Sequence, residues 1–489
     1  MRGLRSGHPG RRAHGSPGSV SHRVAVGVGV LVLAAGVVAG CGTTTAGART
    51  PPPGFESCTG VTGGAGFCGS LQVPLDWADP TGPTTALWVT LIPATVSPAP
   101  DALFFLAGGP GADAEQDIPW LTRAFARVNE HHDLVVVDQR GTGRSDFEGC
   151  PGLGEGQTPS ALRLAVQLCL STVSTDASYF TTESAAHDLD HVRALLGYDT
   201  IDLYGVSYGV SLGLAYLQAY GDHVRSAVLD SGSLLDTPLW QEAPLHAQEA
   251  FDLLVRRCAA SPSCARSDDP AGDLQDVLAQ VRGSSGAVDG VLNAIDDDYL
   301  GKSTAAVLLP GDLHLAAQRG LTALARKRKS WFASSSSSPP LMSLTIECGD
   351  AWAAIDPGAV GDSTFAPMMV ARSEYLATLC PIWPHQAGVS GSVHSSAPVL
   401  FLNGTADPTD PPANVAGATR TMPNALVVAV PGSAHWVLNA SWNWGVRTPA
   451  CLVDGVATFI DAGRPASRRA WDACTTSIAK DVPGFPATG

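Results

Sequence analysis

The sequence of 489 residues predicts an α/β protein: a mostly parallel central sheet, helices on both faces and a large helical lid insertion. Three observations lead there. Short apolar runs rich in β-branched and aromatic residues alternate with helical stretches, the rhythm of strand–helix–strand crossovers. One such run, Thr200–Tyr204, passes through Gly205-Val206-Ser207-Tyr208-Gly209 into a small-residue helical run, Val210–Tyr220. The alternation then fades between Ser233 and Pro398, where the pattern turns helical.

In chain order, residues 1–40 read as a signal peptide. They carry Arg2, Arg5, Arg11, Arg12 and Arg23 with no acid, then the apolar stretch Val24–Val38, too short to span a bilayer comfortably. The end, Val38-Ala39-Gly40-Cys41, resembles a bacterial lipobox, in which Cys41 becomes the lipidated first residue of the mature chain. An ordinary cleaved leader ending near a cysteine is the alternative. Residues 41–57, rich in Thr, Ala, Gly and Pro, are then a tether, and the expected location is the outer face of the cell membrane. Residues 58–233 are the first part of the core, with strands at Leu87–Ile92, Ala102–Leu106, Leu134–Val137, Ile201–Tyr204 and Ala227–Leu229. Residues 234–396 are the lid, with helical patterns at Ala247–Cys258, Leu274–Val281 and Leu313–Arg326. Residues 397–489 complete the core with strands Val399–Leu402 and Leu426–Val430. An insertion at that point sits over the carboxyl ends of the strands, where open α/β sheets bind ligands.

Composition narrows the function classes. Hydrophobic residues at 45% and charged residues at 15% describe a chain with a sizeable core. The net charge is −15, and it becomes −20 when the leader takes its five arginines with it. That surface repels nucleic acid and anionic head groups, so no nucleic-acid partner is expected and membrane attachment falls to the acyl chains on Cys41. The basic run Arg326-Lys327-Arg328-Lys329, beside Ser334–Ser338, reads as a solvated loop. Of eleven cysteines, ten remain after Cys41. Pairing of sequence neighbours (58 with 68, 150 with 169, 258 with 264, 348 with 380, 451 with 474) is the simplest assignment, although spacing does not determine connectivity. No pair has Cys-x-x-Cys spacing, and His187 and His191, four apart on a helix, have no third ligand beside them, so no metal or cofactor is expected.

The chemistry centres on Ser207. Glycines two residues either side permit a sharp strand-to-helix turn that exposes the hydroxyl. Serine needs a base, and His435, in Pro431-Gly432-Ser433-Ala434-His435-Trp436 after the last strand, is placed to supply it. Asp407, in Asn403-Gly404-Thr405-Ala406-Asp407-Pro408, follows the preceding strand and would orient the imidazole; Asp410 is its rival, and a loop-capping role is open to either. The order Ser, Asp, His differs from that of chymotrypsin and subtilisin. The oxyanion hole would consist of the backbone N–H groups of Tyr208 and of Gly109, in the turn Gly108-Gly109-Pro110-Gly111.

These residues, with Asp138-Gln139-Arg140-Gly141-Thr142-Gly143-Arg144-Ser145, Tyr179-Phe180-Thr181-Thr182, Asp188-Leu189-Asp190, Ile346-Glu347-Cys348-Gly349-Asp350 and Cys380-Pro381-Ile382-Trp383-Pro384, resemble the secreted tripeptidyl aminopeptidase and proline iminopeptidase group of serine α/β-hydrolases, including its actinobacterial cell-envelope lipoproteins. The resemblance runs from about Cys58 to Cys474. It implies the α/β-hydrolase fold and an exopeptidase that releases short peptides from free amino termini, with some members acting as esterases on small acyl substrates. It also implies lid carboxylates that take the substrate ammonium; Glu347 and Asp350 are the candidates, beside a structural role near Cys348. Two positions depart from the group: Asp410 stands where Thr is frequent, and Ala107 where the iminopeptidases have His. A carboxylesterase of the same fold is the alternative function, and an inactive binding protein a more remote one.

Overall fold

The computed structural model describes residues 50–486, apart from 59–65, 97–98, 155–156, 266–267, 328–338, 351–354, 357–358, 360, 446, 466 and 481. The leader, Cys41 and most of the basic run's surroundings lie outside these.

Among the described residues nine strands form one sheet: β1 (Glu56–Ser57), β2 (Phe67–Pro74), β3 (Thr84–Ile92), β4 (Ala102–Leu106), β5 (Asp133–Asp138), β6 (Ile201–Val206), β7 (Val224–Asp230), β8 (Val399–Gly404) and β9 (Ala425–Val430). Their spatial order is β1-β2-β3-β5-β4-β6-β7-β8-β9. The first three pairings, out to β5, are antiparallel, and every pairing from β5 to β9 is parallel. Each predicted strand falls inside β3 to β9. β1 and β2 were not foreseen. The β2 segment, Phe67-Cys68-Gly69-Ser70-Leu71-Gln72-Val73-Pro74, mixes in Gly, Ser and Gln, and its strand character comes from antiparallel pairing along the whole of β3, Phe67 with Leu91 through Pro74 with Thr84. β1 lies at the end of the segment read as a tether.

Strands β4, β5 and β6 are buried along their full length, which is why they read as unbroken apolar runs. Successive side chains go to opposite layers. Phe104, Leu106, Val135 and Leu203 pack with Leu189 and Val192 of helix Thr182–Leu196 and Leu214 of helix Tyr208–Tyr220. Phe105, Val136, Tyr204 and Leu400 pack on the other side with Leu121, Val456, Ile460 and Trp471.

Between β7 and β8 the described chain is helical. Helices Leu239–Ala260, Pro270–Val281, Ser285–Ile295 and Leu309–Arg319 enclose a core of their own, with Phe251, Leu274, Leu292 and Leu313 at its centre. The predicted helix Leu313–Arg326 is two helices, because Gly320 at φ +80° ends the first and Leu321–Lys327 begins again beyond it. Arg326 and Lys327 are therefore helical, and Lys327 pairs with Asp312 at 2.8 Å. Helix Leu341–Gly349 belongs to the sheet: Leu341, Met342, Leu344 and Ile346 join the same apolar cluster as β4.

All five disulfides join the sequence neighbours expected: Cys58–Cys68, Cys150–Cys169, Cys258–Cys264, Cys348–Cys380 and Cys451–Cys474. His187 and His191 pack their rings against Trp77, and His187 bonds with the Tyr220 hydroxyl.

The Asp138–Ser145 motif is an internal brace. The Arg140 guanidinium, wholly buried, donates to both carboxylate oxygens of Asp188 at 2.7 and 2.6 Å and to the carbonyls of Leu75 and Tyr179. Removing one partner of a buried pair leaves an uncompensated charge, which costs about 3–5 kcal/mol. Arg140→Met is expected to lower unfolding stability by that amount, measured by urea titration, and adding Asp188→Leu should restore most of it.

Candidate active site

Ser207 sits between β6 and helix Tyr208–Tyr220 at φ 56° and ψ −126°. That conformation is strained for a residue with a side chain and persists only where its surroundings enforce it. The enforcement is local. The Ser207 N–H donates to the Asp230 carbonyl at the end of β7 (3.0 Å), and its carbonyl accepts from Val210 N–H (2.8 Å). The flanking glycines are sterically required: a Cβ on Gly205 would lie 2.3 Å from the Gly209 carbonyl oxygen, and one on Gly209 would lie 2.1 Å from that of Leu106.

His435 and Asp407 meet as the sequence spacing anticipated. His435 Nδ1 lies 3.0 and 3.2 Å from the two Asp407 carboxylate oxygens. Asp407 also accepts the N–H groups of Thr409 and Asp410, each at 2.9 Å. Burial pushes the Asp407 carboxyl up, but His435 and these hydrogen bonds outweigh it and hold the group below the ordinary range. Burial disfavours the His435 imidazolium; Asp407 first, then Asp410 and Asp230, overcome this and raise it to about 9.

The loops that bring these side chains together are pinned by backbone bonds. Thr405 N–H donates to Val430 carbonyl and Ala406 N–H to that of Ser433, joining the turn of Asp407 to the loop of His435 at 3.0 and 2.9 Å. Asn443, fully buried, donates through Nδ2 to the carbonyls of His435 and Trp436, and its Oδ1 accepts from Ala434 N–H and Ser303 Oγ. Asp230 supplies the other clamp. Its carboxylate accepts from Val437 N–H (2.8 Å), Leu438 N–H (3.0 Å) and the Tyr204 hydroxyl (2.8 Å), while its carbonyl holds the Ser207 amide. One residue thus fixes both the serine turn and the loop of the histidine. Sequence reasoning passed over Asp230 and Asn443. An acid at the carboxyl end of the apolar run Val224–Asp230 was a usable signal, whereas nothing local marked Asn443.

At the glycine turn, a Cβ on Gly108 would stand 3.0 Å from Ser207 Cβ, so Gly109 follows directly where the chain passes the serine. Ser343, from the insertion, donates to the Pro110 carbonyl at 2.7 Å and fixes the turn. The Tyr208 side chain is buried, its hydroxyl 3.1 Å from Thr182 Oγ1, which donates to Asp350 at 3.2 Å. Asp350 is thereby linked to Tyr208, and burial raises its carboxyl to about 7 against the Thr182 bond. Glu347 faces elsewhere, paired with Arg372 at 2.8 Å, and that guanidinium stacks on Trp240. Cys41 lies outside the described residues.

The insertion reaches the turn that precedes Asp407. Leu300, Ser303 and Ala306 share with Ala406 a cavity of only about 10 Å³. Just before them, Asp296 is buried, its Oδ1 without a hydrogen-bond partner, and it interacts electrostatically with Asp407 and His435. Burial raises its carboxyl well above the ordinary range. Far along the same strands, Asp101, His132 and Asp202 form a cluster of metal-ligand type, but Arg225 lies between them, 2.8 Å from Asp101 and 2.5 Å from Asp202, and supplies the cation.

Comparison with known proteins agrees with this architecture. The family model described as alpha/beta hydrolase fold matches residues 101–438. The chain is 30% identical to Serine protease Hip1 of Mycobacterium tuberculosis over 238 residues, 43% of this chain and 45% of that protein. It is 30% identical to the Tripeptidyl aminopeptidase of Streptomyces lividans over 239 residues, 44% of each. It is 28% identical to Carboxylesterase B of Mycobacterium tuberculosis over 230 residues, 42% of this chain and 44% of that one. The matched stretches span less than half the length of these curated relatives. Among solved structures, the proline iminopeptidase of Mycobacterium smegmatis aligns over 81% of this chain and 98% of its own, at 17% identity and a TM-score of 0.39. With the family model covering β4 through the loop of His435, the chain belongs to the alpha/beta hydrolase fold family.

Proposed function

We propose that the protein is a serine hydrolase, and within that class an aminopeptidase that releases di- or tripeptides from free amino termini through an acyl-enzyme on Ser207. The observation that carries the reading is the bond from His435 Nδ1 to the buried Asp407 carboxylate, in a loop clamped by the residue that holds the Ser207 amide. In this scheme His435 Nε2 takes the Ser207 proton as Oγ attacks the acyl carbon, and Asp407 stabilises the imidazolium. The N–H groups of Tyr208 and Gly109 receive the developing oxyanion, each worth about 3 kcal/mol in comparable sites. His435 then gives its proton to the departing amine, and water repeats the sequence to release the peptide.

The free amino terminus is the finer part of the proposal. The Asp296 carboxyl, buried with an Oδ1 that has no hydrogen-bond partner and interacting electrostatically with His435, is the kind of group a substrate ammonium would complete. Asp350 is the second candidate, while Glu347 already has Arg372 as its cation. The names of the relatives, serine protease, tripeptidyl aminopeptidase and carboxylesterase, support hydrolysis at an acyl centre and leave an esterase as the competing reading. We place the enzyme outside the cell, held to the membrane by a lipidated Cys41 and acting without cofactor.

A tripeptide p-nitroanilide is expected to be cleaved about 10²-fold faster in kcat/KM than its N-acetylated counterpart, the worth of one charge-assisted hydrogen bond. Equal rates, with p-nitrophenyl butyrate the better substrate, would favour the esterase. Asp230→Ala should lower kcat on either substrate by about 10²-fold, because the histidine loop loses two anchors next to a reaction that tolerates little misplacement. For the anchor, Cys41→Ser is expected to move the protein from the membrane fraction to the medium in the native host, with loss of metabolic palmitate labelling; unchanged fractionation would rule out the lipid at Cys41.

A further inference from the structure

Asp410 is a second carboxyl inside the triad. Its Oδ2 lies 3.9 Å from His435 Nδ1, and its own amide donates to Asp407 Oδ1 at 2.9 Å. Ser233 Oγ donates to its Oδ1, and Asn414 Nδ2 donates to Ser233 at 2.8 Å, so the side chain is held in place. Asp407 and Asp410 are 2% and 3% exposed, which leaves water little part in separating their charges. A plain buried spacer at this position would not need a carboxyl, whose desolvation is costly unless its proton or charge is used.

We propose that Asp410 is a positioning residue that shares with Asp407 the charge presented to His435, and so sets the pH range over which the imidazole is a base. The inference rests on His435 being that base. Two carboxylates about one imidazole cannot both ionise cheaply. Asp407 is the member that stays ionised, since it accepts the Thr409 and Asp410 amides as well as His435 Nδ1–H. Asp410 is the member that holds the proton: burial, and then the neighbouring Asp407 charge, push its carboxyl up against the opposing pull of His435. The other titratable groups facing this pair are Asp230 toward His435, Asp296 toward both Asp407 and His435, and His246, which interacts with Asp407 and with the Thr409 backbone. When pH rises and Asp410 ionises, a second negative charge opposes loss of the proton from His435. The two ionisations are then anticooperative, and the rise of activity with pH is drawn out beyond a single titration.

The test is the pH dependence of kcat/KM on a p-nitrophenyl ester, together with an NMR titration of the His435 ring in the free protein, for wild type, Asp410→Asn and Asp410→Thr. Asparagine keeps an acceptor for Ser233, and threonine supplies a second variant should asparagine fold poorly. The wild-type limb is expected to spread over more than one ionisation. In both variants it should contract to a single ionisation lying about one unit lower, in line with removal of a charge within about 4–6 Å, and Asp410→Glu should restore the spread. Asp407→Asn should lose about 10²-fold in kcat while Asp407→Asn with Asp410→Asn approaches the roughly 10⁴-fold loss of a triad without its acid. Superimposable limbs and ring titrations in wild type and both variants would overturn the proposal. A ring titration that shifts as expected in a protein with no turnover of ester or peptide would support the coupling and sink only the hydrolase reading.

Discussion

The arrangement depends on the end of β7. Asp230 uses its carbonyl to hold the Ser207 amide and its carboxylate to hold two successive amides just past His435. A serine turn at φ 56° and a loop containing Trp436 at φ 58° are both backbone conformations that side chains resist, and each persists because the surroundings over-determine it. Tying them to one residue makes the relative position of Ser207 and His435 depend on the parallel sheet. Tyr204 extends the knot, since its hydroxyl donates to Asp230 and accepts from the Trp436 indole at 3.1 Å.

The helical insertion reaches the same loop through Ser303. Ser303 donates to the Gly432 carbonyl and to Asn443, and so the segment after the π-helical turn Asp296–Leu300 is joined to the loop of the base. Asp410 lies 3.9 Å from His435 Nδ1, and Asp230 and Asp296 interact with the same histidine electrostatically. Asp407, Asp410 and Asp230 raise His435 above the ordinary imidazole range, while Asp296 Oδ1 is buried without a hydrogen-bond partner.

Much of this was legible in the chain. The parallel strands announced themselves because burial on both faces makes their residues uniformly apolar, as in Ala102–Leu106, and the serine turn because Gly205 and Gly209 have no room for a side chain. Asp407 and His435 were found through their places after the last two strands. β2 was hidden because its pairing with β3, not its composition, makes it a strand. Asn443 was hidden for a related reason, since it acts through Ser303, distant in sequence, and no local pattern encodes such a pairing; the place of Asp230 at the end of β7 was a signal, its pairing with Val437 was not. Glu347 and Asp350, taken together from one motif, diverge in space toward Arg372 and Thr182.

The most direct measurement of the central claim is covalent labelling with a fluorophosphonate followed by peptide mapping. The account predicts a single adduct on Ser207 in the wild-type protein, and a labelling rate lower by several orders of magnitude in His435→Ala, since the hydroxyl is activated only by that imidazole. An adduct on another residue, or a His435→Ala protein labelled at the wild-type rate, would contradict it.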